Sequence, residues 1–159
     1  MNLRGKHAAI GTTLPGPLMA LAGALVLLAG FAHAAPASET VTALLQDSST
    51  GPSVSRMEIV LDRHTVKAGK ITLKAINRSK TLVHEVLVLH DPGKTPLPYN
   101  SKDAEVDERK IRSLGEVGDL PPGRSGTLSL VLTPGQYLLF CNEPGHYAEG
   151  MKTTLVVTP

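Results

Sequence analysis

The chain has 159 residues, with 16 Lys and Arg against 14 Asp and Glu and a single cysteine. Near-balanced charge excludes a global electrostatic pull toward nucleic acid or an anionic membrane surface. One cysteine excludes an internal disulfide framework.

The N-terminus reads as an export signal. Arg4, Lys6 and His7 precede an apolar run from Leu18 to Phe31, and Ala32-His33-Ala34-Ala35 follows as an A-x-A cleavage site. Cleavage is expected after Ala34. The run is short for a spanning helix, which needs about 20 apolar residues, so an uncleaved anchor is the weaker reading. No twin arginine is present, and no cysteine stands at the end of the run, so the general secretory route without a lipid anchor is expected. Losing Arg4 and Lys6 from the 16 basic residues leaves 14, equal to the 14 acidic ones. Residues 35–159 are expected to form a single domain, with its core over about 41–159.

Val41 to Gln46 reads as a first, edge strand, although a short helix also fits its spacing. Asp47 to Ser53 is a polar loop containing Gly and Pro. Met57 to Leu61 is a strand, with Met57 in the core. Ala68-Gly69-Lys70 is a turn, and Ile71 to Ile76 alternates with Ile71, Leu73 and Ala75 on one face. Asn77 to Lys80 is turn-like. Leu82 to Leu89 is a long strand with His84 and Glu85 at its middle on opposite faces.

The segment from Asp91 to Arg112 differs in kind, with Pro92, Pro96 and Pro98 followed by a mixed-charge run from Lys102 to Arg112. It reads as a long loop, solvated and holding one helical turn, rather than a partner-docking flap. Leu97, Pro98 and Tyr99 are expected to cover apolar surface near the functional site. Pro121-Pro122-Gly123 and Thr133-Pro134-Gly135 are turns, and Gly126–Leu132, Gln136–Cys141 and Lys152–Val157 are strands. About seven to eight short strands with Gly/Pro turns predict an all-β sandwich or barrel.

The chemistry concentrates in Tyr137 to Met151, YLLFCNEPGHYAEGM, where Cys141, His146 and Met151 form C-x4-H-x4-M. Thiolate, imidazole and thioether make a soft donor set that suits copper. The loop lacks a second imidazole, and besides His146 the mature chain offers His64, His84 and His90. His84 is the candidate, since it sits on a strand among apolar neighbours, whereas His64 and His90 lie at strand ends and face solvent. Zinc is poorly served by a thioether. A dinuclear copper–thiolate centre needs two cysteines. A thiol enzyme built on Cys141 and His146 lacks an oxyanion or substrate site.

His84 in LVHEVLVL, followed far downstream by PGQYLLFCNEPGHYAEGM and a last strand, resembles the cupredoxin family of small type 1 (blue) copper proteins. The likeness runs from about Val41 to the C-terminus, and the ligand spacing is similar to that of the sulfocyanin and rusticyanin-like branch. The resemblance implies a Greek-key β-sandwich and one copper ion held by His84, Cys141 and His146, with Met151 axial. It also implies that the backbone N–H groups of Glu85 and Glu143 point at the cysteine sulfur. Many relatives carry Asn where this chain has Glu85. From residue type, Asn142 is expected to brace the loop, and Pro144 with Gly145 to tighten the turn before His146. Pro144, Tyr147 and Ala148 are expected to face a partner. Tyr137 reads as a core or corner tyrosine rather than an electron-transfer waypoint.

A His2Cys site with a weak axial Met suits both copper oxidation states with little ligand movement. The expected function is therefore one-electron transfer in the periplasm or outside the cell, not enzymatic turnover. The expected protein is a monomer with transient redox partners, no nucleic acid and no stable membrane association after signal cleavage. The alternative is copper handling, by binding, buffering or delivery in copper tolerance.

Overall fold

The computed structural model describes residues 38–49, 54–93 and 95–159. The predicted export segment, residues 1–34, and most of the polar loop, residues 50–53, lie outside the described residues. Two β-sheets carry the fold. The first runs in the order β2 (Val54–Leu61), β1 (Glu39–Ser49), β4 (Gly69–Asn77), β9 (Ser125–Leu132). The second runs β3 (Thr65–Lys67), β11 (Lys152–Thr158), β10 (Gly135–Phe140), β5 (His84–His90), β8 (Ser113–Leu120). A small hairpin of β6 (Tyr99–Asn100) and β7 (Glu105–Val106) forms a separate two-stranded sheet. Within the two sheets only β1–β2 and β10–β11 are neighbours both in space and in chain order, and the other adjacent strands are crossovers, as in a Greek-key sandwich.

Period-two alternation explains the core. Val41, Ala43 and Leu45 of β1 and Ile71, Leu73 and Ala75 of β4 are buried, and they meet Val86, Val88, Leu139 and Leu155 of the second sheet. Each fully buried aliphatic side chain contributes roughly 1.5–3 kcal/mol. The β5 strand is buried on both faces. Leu87 and Leu89 point away from the sandwich and pack with Phe140, Leu97 and Val106. The long segment after Asp91 thus seals the outer face of the second sheet, and Leu97 does cover apolar surface.

Several expectations need correction. The β1 strand is not an edge strand: it pairs antiparallel with β2 and parallel with β4, and its fully buried alternate residues require neighbours on both sides. It also extends through Asp47, Ser48 and Ser49, which belong to the strand rather than to the polar loop. His84 opens its strand instead of sitting mid-strand. The Ser79 hydroxyl accepts from the Thr81 and Leu82 amides and holds the approach in a turn. There are eleven strands among the described residues, against the seven or eight predicted. Three of the extra ones are only two or three residues long. The fourth, β8, carries Gly115 and Gly118, and its pairing with β5 is irregular at two points, so it shows little strand character in sequence. Asp91–Arg112 contains the β6–β7 hairpin and one 3-10 turn at Glu108–Lys110.

Candidate metal centre

The centre is built where β5 begins and β10 ends. The β10 strand pairs with β5 from Tyr137–His90 to Phe140–Leu87, which carries the chain to Cys141 beside His84. The chain then leaves the sheet and returns at β11. The excursion closes on itself, since Cys141 N–H donates to Met151 O at 3.1 Å and Met151 N–H donates to His146 O at 3.0 Å. Left-handed backbone at Gly145 (φ 85°) and Gly150 (φ 93°) permits the two reversals within this short loop.

His84, Cys141 and His146 converge. Cys141 Sγ lies 3.3 Å from His146 Nδ1 and 4.0 Å from His84 Nδ1, and the two Nδ1 atoms are 3.2 Å apart. All three donor atoms fall within 4.8 Å of one another, and all three residues are buried. Met151 is fully buried in the same apolar cluster as Cys141. His64 and His90 are exposed, and the His90 ring lies against Tyr137.

Hydrogen bonds surround the cluster. Glu85 N–H donates to Cys141 Sγ at 3.5 Å. The backbone N–H of Glu143 also favours the thiolate. Asn142 braces the loop: its Nδ2 donates to Val106 O and to Glu108 Oε1, and its Oδ1 accepts from Val106 N–H. The Glu85 carboxylate finds its partner in Asn142 N–H at 3.1 Å. Tyr137 is a corner tyrosine whose hydroxyl donates to Thr133 O at 2.8 Å. Pro144 and Ala148 are exposed beside His146. Tyr147 is half-buried against Phe140, with Lys152 Nζ over its ring.

Two contributors carry no recognisable signal in the sequence. Asp47 places Oδ1 3.4 Å from His84 Nε2, yet in sequence it is one polar residue of a loop-like stretch. Asn77 is fully buried, and its side chain joins Leu82 O, Leu120 O and Ser79 N–H, fixing the turn that delivers His84. An Asn before Arg-Ser-Lys reads as an ordinary turn residue.

Burial governs the electrostatics. The Cys141 thiol is pushed up to about 12 by desolvation, against the Glu85 and Glu143 amides. His146 is held down to about 4 by desolvation and then by the neighbouring His84. His84 is also lowered by burial, against its hydrogen bond to Asp47. Glu85 is raised to about 7, first by burial and then by Glu108, Glu116 and Glu143. Near neutral pH the site therefore offers two uncharged imidazoles and one thiol in a buried pocket. Such a donor set exchanges a thiol proton for a soft or borderline cation, and the cluster fits copper.

Two sheets in this order, with a His–Cys–His cluster where a strand end meets a loop, define the class: the chain has the cupredoxin fold. Within that class it is similar to the auracyanins and rusticyanins. It matches reduced auracyanin from Roseiflexus castenholzii with a TM-score of 0.52 and 24% identity, covering 79% of this chain and 100% of that one. It matches rusticyanin from Thiobacillus ferrooxidans with a TM-score of 0.52 and 21% identity, covering 75% and 77%. In sequence it is 51% identical to Auracyanin-B of Chloroflexus aurantiacus over 41 residues. That match spans 25% of this chain and 17% of the relative's length. No protein-family model matches the chain.

Proposed function

We propose that this chain is a mononuclear type 1 copper protein that passes single electrons between partner proteins. The observation that carries the reading is the convergence of His84 Nδ1, His146 Nδ1 and Cys141 Sγ within 4.8 Å in a buried pocket of a cupredoxin fold. Rusticyanin, one of the similar structures, is a copper protein. His84, Cys141 and His146 would hold the copper in this reading, with Met151 as a fourth, weaker donor. Copper in such a site supplies a one-electron couple between its cuprous and cupric states.

The protein's own groups do the rest. The imidazoles stay neutral and ready to donate. The amides of Glu85 and Glu143 stabilise the thiolate once its proton has left. The hydrogen-bonded loop holds the ligand positions, so little reorganisation accompanies a change of charge. Four protein ligands leave no open position for a substrate, which suits a carrier rather than an enzyme. His84 is fully enclosed while His146 is 8% exposed, so the His146 edge, among Pro144, Tyr147 and Ala148, is the contact for a partner. The A-x-A site after an apolar run supports export, with cleavage after Ala34, to the periplasm or cell exterior. The mature protein acts as a monomer with transient partners.

Protein-film voltammetry with metal retention tests the function. A carrier shows a reversible one-electron couple and keeps its copper through repeated cycles in the presence of a thiol-rich copper acceptor. Irreversible waves, or transfer of the copper to the acceptor, would place the protein in copper handling instead.

A further inference from the structure

The two nitrogens of the His84 ring face different chemistry. Nδ1 points at Cys141 Sγ and His146 Nδ1, whereas Nε2 lies 3.4 Å from Asp47 Oδ1. His84 is fully buried, and the Asp47 side chain is only 10% exposed. Asp47 belongs to β1 of the first sheet and His84 to β5 of the second, so the contact ties the two sheets together at the centre.

We propose that Asp47 is the positioning residue of the centre: it fixes the ring of His84 and sets how strongly that ring donates. The inference rests on the copper reading above. An ionised carboxylate only accepts hydrogen bonds, so the single proton of a neutral His84 belongs on Nε2. That leaves the Nδ1 lone pair directed at the other donors. A carboxylate behind a ligating imidazole also raises its basicity. Charge acts in the same direction. Cupric ion with one thiolate leaves a net positive charge in a buried site, and cuprous ion leaves none. The Asp47 carboxylate, one imidazole away, offsets the oxidised state more than the reduced state and lowers the potential. His146 has no carboxylate within hydrogen-bond reach among the described residues, so the two imidazoles play unequal parts. Asp47 supports the fully enclosed one and leaves His146, whose edge reaches the surface, free for contact.

The test uses the full chain and its Asp47→Asn and Asp47→Leu variants. Nitrogen NMR of the metal-free proteins reads the His84 tautomer. The wild type should hold the Nε2–H form, and Asp47→Leu should show a mixture. After loading with Cu(II), both variants should have a higher reduction potential than the wild type. Asp47→Leu should bind Cu(II) about 10–100-fold more weakly, the usual cost of losing a partner behind a metal ligand. Asp47→Asn keeps shape and an acceptor oxygen while removing the charge, so its potential decides the matter even if Asp47→Leu fails to fold. A wild-type tautomer in Asp47→Leu, or a wild-type potential in Asp47→Asn, would overturn the proposal. If the wild type takes up no Cu(II), the copper reading fails on its own, and the tautomer measurement still decides whether Asp47 positions His84.

Discussion

Asn142 and Val106 grip each other by two hydrogen bonds. Val106 N–H donates to Asn142 Oδ1 at 2.7 Å, and Asn142 Nδ2 donates back to Val106 O at 3.0 Å. The residue after Cys141 is thereby locked to the β6–β7 hairpin, 36 positions earlier in the chain. Gly145 N–H donates to Ala104 O at 2.7 Å and makes a second tie between the same two segments. The long segment is thus part of the scaffold of the Cys141–Met151 loop.

Asn142→Ala should therefore destabilise the protein. It leaves a buried backbone donor and acceptor of Val106 without partners, at about 1–3 kcal/mol for such a loss. Urea unfolding measures the cost, and amide exchange at Val106 should speed up. An unchanged midpoint with unchanged exchange would mean that the hairpin stands without Asn142.

Gly126 offers a test of the sandwich itself. A β-carbon built there would sit 2.5 Å from Val117 Cγ1, where β9 passes β8. Gly126→Ala should cost roughly 1–3 kcal/mol through overpacking, with His84, Cys141 and His146 untouched. Gly126→Ala combined with Val117→Ala should recover part of the loss. Gly126→Ala with wild-type stability would mean that the two sheets are not this close.

These two cases show which features a sequence can disclose. The strands at Ile71–Ile76 and Gly126–Leu132 are legible because one face is buried, and burial imposes alternation. The Cys141–Met151 loop is legible because its chemistry is local, with donors at short fixed spacing. Asp47, Asn77 and the β8 strand are not. Asp47 reaches His84 across 37 positions and Asn77 reaches Leu120 across 43, and neither contact leaves a periodic trace. The β8 strand takes its register from β5 rather than from its own Gly-containing SLGEVGDL. The start of β5 at His84 is set by Ser79, a residue outside the strand.

Glu85 gives a prediction for the metal-free protein. Its carboxyl is raised in the folded state from 4.5 to about 7, so the folded state holds that proton more tightly than the unfolded chain does. The stability this contributes is complete below the unfolded value. It is lost as pH rises from about 4.5 through 7. Glu85→Gln removes the titration and keeps an acceptor for Asn142 N–H. The variant should therefore gain stability over the wild type at pH 8 relative to their difference at pH 4. His146 titrates in both proteins and cancels in the comparison. A difference that stays constant across that range would contradict the assignment.

Met151 is the fourth donor of the proposed centre, and it can be tested apart from the other three. Met151→Leu nearly conserves volume, so the core should tolerate it at under about 1.5 kcal/mol. Copper should still bind, and the potential should rise as the thioether donor is lost. An unchanged potential would mean that Met151 is a core residue only.

The central claim is that Cys141 and the two histidines bind copper as a type 1 centre. Its most direct test is the visible and EPR spectrum of the purified protein after one equivalent of Cu(II), recorded beside Cys141→Ala. The wild type should show an intense thiolate-to-copper band with narrow copper hyperfine splitting, and Cys141→Ala should show neither. A weak visible spectrum with ordinary tetragonal copper signals in the wild type, or an intense band that survives in Cys141→Ala, would contradict it.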